Sequence, residues 1–75
     1  MKYIRHKKLG MIMFENAIAH SDMVSIVGAQ RSDIQSAGFV VRMPGGGVEC
    51  NGMSGSLNIE SKPKDTEWVG FLLRY

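Results

Sequence analysis

The run Pro44-Gly45-Gly46-Gly47 constrains the chain more than any other stretch. Proline has no amide hydrogen to give a sheet ladder, and consecutive glycines admit any turn that needs positive φ. The residues before the run alternate, with Ala37, Phe39, Val41 and Met43 on one side and Gly38, Val40 and Arg42 on the other. Behind it Val48, Glu49 and Cys50 resume the alternation, with Val48 and Cys50 sharing a side. A period of two on both flanks of a turn reads as a β-hairpin. Residues 34–43 and 48–50 are therefore expected to pair.

The other elements follow from weaker local signals. Residues 2–14 read as two short strands around Leu9-Gly10, with Ile12 and Phe14 facing one way and Met11 and Met13 the other. Lys7 and Lys8 keep the tip of that hairpin in water. Residues 21–28 read as a helix: Ser21 or Asp22 caps it, Met23, Ile26 and Val27 share a face, and Gly28 stops it. Leu57 and Ile59 point inward from a last short strand at 57–60. Pro63 and Asp65 suit a helix start, and Trp68, Phe71, Leu72 and Tyr75 follow at i, i+3, i+4 and i+7. Gly70 opposes that helix by about 1 kcal/mol, so a strand over 68–75 is the competing reading. The helix is preferred because its stripe of large side chains covers one face of a small sheet.

These elements predict a single α+β domain over residues 1–75. Its small antiparallel sheet consists of two hairpins plus a short strand. A short central helix and a C-terminal helix lie on one face, giving two layers. A chain this short buries only about 60% of its unfolded surface, so its core is thin.

The same length excludes doubly wound nucleotide folds and enzyme barrels. One cysteine excludes an internal disulfide. No apolar run reads as a signal peptide or a membrane span, so a cytoplasmic protein without membrane contact is expected. The triple glycine lacks the Lys and Ser/Thr of a phosphate loop, and Glu49 would repel phosphate. Gly52-Met53-Ser54-Gly55 misses the hydrolase elbow by one position, which leaves Ser54 as a hydroxyl serving its own loop. Cys50 reads as a small core hydrophobe, because Glu49 beside it disfavours a thiolate. Glu15, Glu49, Glu60 and Glu67 stand singly. No catalytic residue and no cofactor is assigned, and the chain is not expected to be an enzyme. His20 and Asp22 are the candidate metal ligands, but nothing repeats at metal-site spacing and no metal site is assigned.

Two binding features remain. The formal charge is +2, yet residues 1–8 alone carry +4 through Lys2, Arg5, Lys7 and Lys8. On an exposed strand edge these cations would meet phosphates while Tyr3 stacks on a base. The structural alternative is that they only keep a free edge from aggregating. The second feature is the six methionines. Met11, Met13, Trp68, Phe71 and Tyr75 are the candidate protein interface, since adaptable apolar surfaces often complete small cores by association. The leading expectation is a non-enzymatic protein-interaction module that associates with itself or a partner. A nucleic-acid- or polyanion-binding module is the alternative, and a small metal- or ligand-binding protein is the third.

The segments His20-Ser21-Asp22-Met23, Ser36-Ala37-Gly38-Phe39-Val40 and Val48-Glu49-Cys50-Asn51-Gly52 with Ser56-Leu57 resemble a pattern of small uncharacterised bacterial or prophage proteins. The likeness spans residues 1–65. It implies no activity, and it favours a protein of phage–host interaction.

Overall fold

A computed structural model describes residues 1–73. The elements are β1 (Lys2–His6), β2 (Gly10–Phe14), α1 (His20–Ile26), a 3-10 turn (Arg31–Asp33), β3 (Ile34–Arg42), β4 (Val48–Asn51), β5 (Met53–Ser54), β6 (Ile59–Glu60) and α2 (Lys64–Leu73). The fold is α+β, as expected. Residues 64–73 are helical despite Gly70, and Tyr75 lies outside the described residues.

The main sheet has four antiparallel strands in the order β2-β1-β3-β4. The glycine-rich hairpin forms as read: Val40 pairs with Cys50, Arg42 with Val48, and Gly46 and Gly47 take φ of 99° and 77° in the turn. The strand expected at 57–60 does not join this sheet as the short strand beside the two hairpins. Its Ile59–Glu60 portion pairs with Met53–Ser54 in a separate two-stranded ribbon. Ser54 is wholly buried and its hydroxyl accepts the Leu57 N–H at 3.1 Å, so it serves its own loop.

β1 is central rather than an edge. It pairs with β2 on one side and β3 on the other. Local reading finds the β1–β2 hairpin, but a partner some thirty residues away leaves no local trace.

Both faces of the sheet are covered, and the helices divide between them rather than sharing one. Strand alternation sends Ile4, Ile12, Phe14 and Ala37 to one face, where Met23 and Val24 of α1, Leu57 and Ile59 complete a core. The alternate residues Tyr3, Met11, Met13, Val40, Val48 and Cys50 meet Val69 of α2 on the other. Each large side chain so buried contributes about 1.5–3 kcal/mol. A single buried face would have left one of these two sets in water.

In α1 the expected face turns inward in part, with Met23 and Val27 on the core, and α2 turns a different stripe inward from the one expected. In α1, Met23 and Val24 are buried while Ile26 is exposed. The helix begins two or three residues earlier than a cap at Ser21 or Asp22 would set it, with Ala19 as N-cap and no side-chain cap bond. In α2, Asp65 and Val69 face the sheet, and Trp68, Phe71 and Leu72 lie outside. Asp65 and Val69 stand at i, i+4, a spacing as helical as 68, 71, 72. Hydrophobicity alone favoured the wrong stripe because the inner one carries a carboxylate with a distant partner.

Candidate interaction surface

The structure separates the members of the basic segment. Tyr3 is fully buried, so it cannot stack on a base. Its hydroxyl donates to Asp65 Oδ2 at 2.5 Å, and the Lys62 N–H donates to the same oxygen at 2.8 Å. Burial, and then the neighbouring Asp65 carboxylate, push the Tyr3 hydroxyl well above the usual phenol range. Asp65 Oδ1 has no hydrogen-bond donor, but Arg5 Nε lies 3.4 Å away while donating to Ser36 Oγ at 3.2 Å. The guanidinium therefore holds that oxygen by charge. Burying a carboxylate costs several kcal/mol unless it is paired and hydrogen-bonded, and Asp65 is both.

This cluster is a latch between the sheet and the first turn of α2. Thr66 adds a second tie by accepting the Cys50 N–H at 2.9 Å. The Cys50 thiol, buried and close to Asp65, is pushed up to about 11. Tyr3 and Asp65 have no exposed surface, so neither can meet a solute in the folded state.

Lys2, Lys7 and Lys8 take separate roles. Lys2 Nζ donates to the Ile18 carbonyl at 2.9 Å. Lys7 Nζ lies 3.3 Å from Asp33 Oδ1. The Gln30 N–H and then Lys7 draw the Asp33 carboxyl below its ordinary value. Lys8 is exposed at the hairpin tip. His6 Nδ1 accepts the N–H groups of Lys8 and Leu9 at 3.0 and 3.1 Å, which folds the tip back. The result is a small basic pocket of about 170 Å³, lined by Arg5, His6, Lys7, Lys8, Gln35 and Trp68. The segment therefore gathers three of its four cations beside an aromatic ring, at the end of the central strand rather than along an edge.

His20 and Asp22 do not converge on a ligand. His20 is buried, its Nε2 is 2.9 Å from the Gly38 carbonyl, and its ring stands edge-on between Phe14 and Phe39. Desolvation lowers its pKa, so the neutral ring donates its proton to Gly38. Asp22 is exposed. Among the described residues no group of three His, Cys, Asp or Glu side chains could hold a metal ion.

The apolar candidates form the larger feature. Trp68 is 47% exposed, Phe71 70% and Leu72 46%. With Lys64 and Glu67, Trp68 and Phe71 border an open groove of about 540 Å³. Side chains advance about 100° per residue on a helix, so Trp68 and Thr66 point to opposite flanks of α2. Thr66 faces β4. Trp68 thus faces the β1–β2 side, where it shares the basic pocket with Gly10 of β2. Met11 and Met13 lie on that same side of the sheet and are only half-buried, because α2 sits over Tyr3 and Cys50 rather than over β2. Met11, Met13, Trp68, Phe71 and Leu72 therefore belong to one border of the molecule. Sequence reading gives Asp65 only a place at the helix start and no buried role, and its i, i+4 relation to Val69 is the available signal.

Among the described residues no helix is long and apolar enough to cross a membrane. No protein-family model matches the chain, and no curated protein and no solved structure is significantly similar to it.

Proposed function

We propose that this chain is a non-catalytic protein-interaction module whose first partner is a second copy of itself. The observation that supports it is the exposed apolar flank of α2, with Trp68, Phe71 and Leu72 all exposed on the side of the half-covered methionines. Contiguous exposed apolar side chains on a small domain mark an association surface. Lys64 and Glu67 on the same groove carry opposite charges, so two copies brought face to face offset each other's charge. The resemblance to small prophage proteins fits a module of this kind, and a phage-related origin is part of the proposal. Light scattering after size exclusion, from micromolar to several hundred micromolar, tests it. A concentration-dependent dimer weakened by Phe71→Glu is expected, and a monomer over the whole range overturns it.

The pocket of Arg5, Lys7, Lys8 and Trp68 favours a second reading, the binding of single-stranded nucleic acid or another polyanion. It ranks second because Arg5 and Lys7 already have carboxylate partners. Titration of a labelled single-stranded oligonucleotide at low and high salt, with Lys7→Ala and Lys8→Ala beside the parent chain, decides it. No binding at low salt ends this reading.

A further inference from the structure

The two borders of the sheet are finished differently, and the backbone pattern shows how. The Val40 N–H donates to the Met1 carbonyl at 2.7 Å. Antiparallel strands send the backbone groups of successive residues to alternate sides. The odd residues of β1 therefore bond to β3, and Lys2, Ile4 and His6 bond to β2. Ile4 pairs with Ile12, so Gly10, Ile12 and Phe14 turn their N–H and C=O groups toward β1. Met11 and Met13 turn theirs outward. On the opposite border the same alternation turns the Cys50 N–H outward, and there Thr66 Oγ1 accepts it. One border is closed by a side chain. The other presents the N–H and C=O groups of Met11 and Met13 with no partner among the described residues.

Edge strands that stay unpaired usually carry a charge, a proline or a bulge. β2 is Gly-Met-Ile-Met-Phe and has none of these. We propose that β2 pairs antiparallel with β2 of a second copy, about a twofold axis at Ile12, to give one continuous sheet of eight strands. This rests on the self-association reading above and names its seam. The register is self-consistent. Met11 stands opposite Met13 of the second copy as a hydrogen-bonded pair, and Met13 opposite Met11, so every outward group of both residues finds a partner. Ile12 faces Ile12 across the axis. The faces match as well, with Ile12 and Phe14 of both copies on one side and the methionines on the other. The exposed flanks of both α2 helices then overlook the seam from the same face.

Charge selects this pairing over the parallel one. Lys8 lies just before β2 and Glu15 just after it. An antiparallel seam brings the basic end of each strand to the acidic end of the other, twice. A parallel seam would set like against like.

Two variants test the seam. In Met13→Pro the lost N–H points outward, so the β1 ladder stays whole, as edge prolines permit. Both copies lose a seam bond, and the dimer dissociation constant is expected to rise roughly thirtyfold. In Ile12→Cys the two thiols face each other across a non-hydrogen-bonded pair, whose Cα separation of about 4.5 Å suits a disulfide. Under mild oxidant its cross-linked dimer is expected roughly tenfold or more faster than that of Met43→Cys, placed at the far hairpin. A parent dimer that survives in a folded Met13→Pro, or that cross-links no faster at 12 than at 43, overturns the seam and leaves self-association standing. A parent chain that stays monomeric overturns both. If Met13→Pro does not fold by circular dichroism, the cross-linking comparison decides alone.

Discussion

The Tyr3 hydroxyl and the Asp65 carboxylate meet at 2.5 Å across 62 positions of sequence, and both side chains have no exposed surface. Their contact fixes the position of α2 on the sheet, because Asp65 lies in the first turn of that helix and Tyr3 on the central strand. Removing one partner of a buried pair leaves the other desolvated, which costs more than the bond itself contributes. Tyr3→Phe is expected to lower stability by about 1–3 kcal/mol. Asp65→Ala also strands the Arg5 guanidinium and is expected to cost about 3–5 kcal/mol. Urea unfolding of the two single variants and the double variant measures both, and the double variant should fall well short of the sum. Additive losses would mean that the contact carries no coupling.

The pH dependence of stability follows from His20. Desolvation depresses its pKa in the folded state below the ordinary 6.5, so the unfolded chain binds the proton more readily. The unfolded state gains this advantage as pH falls below about 6.5. Its share of stability is fully present above that value and declines on acidification until the folded-state pKa is reached. Thermal midpoints between pH 8 and pH 5 should therefore fall on the acid side, and His20→Gln should flatten the fall. A midpoint that rises between pH 7 and pH 5.5 contradicts the assignment.

Two glycines are expected to respond to alanine with opposite signs. A Cβ on Gly38 would stand 2.6 Å from the Asn51 carbonyl oxygen and 3.2 Å from Ser61 Cβ. The nearer atom is backbone and cannot swing away, so Gly38→Ala should destabilise by about 1–3 kcal/mol. A Cβ on Gly70 meets nothing within 4 Å, and the residue sits inside α2. Gly70→Ala should stabilise by about 0.8–1 kcal/mol through helix propensity alone. Denaturant midpoints of the two variants, run side by side, check the pair.

Cys50 is expected to be inert while the chain is folded. Its thiol is buried and pushed up to about 11, so little thiolate exists near neutrality. Labelling with iodoacetamide at pH 8, followed by mass spectrometry, should proceed slowly in buffer and fully in denaturant. Equal rates in the two conditions would show that α2 does not stay closed over it.

What the sequence made legible was local. The pairing of Val40 with Cys50 could be read because its turn chemistry lies between the two strands. The β1–β2 hairpin and the helicity of residues 64–73 were legible for the same reason. The central place of β1 was not, since its second partner begins at Ile34. The inner face of α2 was misread because Asp65 looks like a surface residue until Tyr3 and Arg5 are set beside it. Of the candidate site, the cations and the apolar side chains were each visible. Their meeting at Trp68 was not, because Trp68 and Gly10 border one pocket from nearly opposite ends of the chain.

The central position of β1 also sets the order in which the sheet can form. The hairpin of β1 and β2 closes locally, on a timescale of about 1–10 μs for such elements. The β1–β3 ladder must wait for a much longer loop to close, and sheets built on distant pairings fold in milliseconds to seconds. During that interval the early hairpin exposes two edges, the one destined for Ile34–Arg42 and the one carrying Met11 and Met13. The period of greatest aggregation risk therefore precedes β3 docking, and a chaperone or a low synthesis temperature should raise soluble yield more than any change to the finished core.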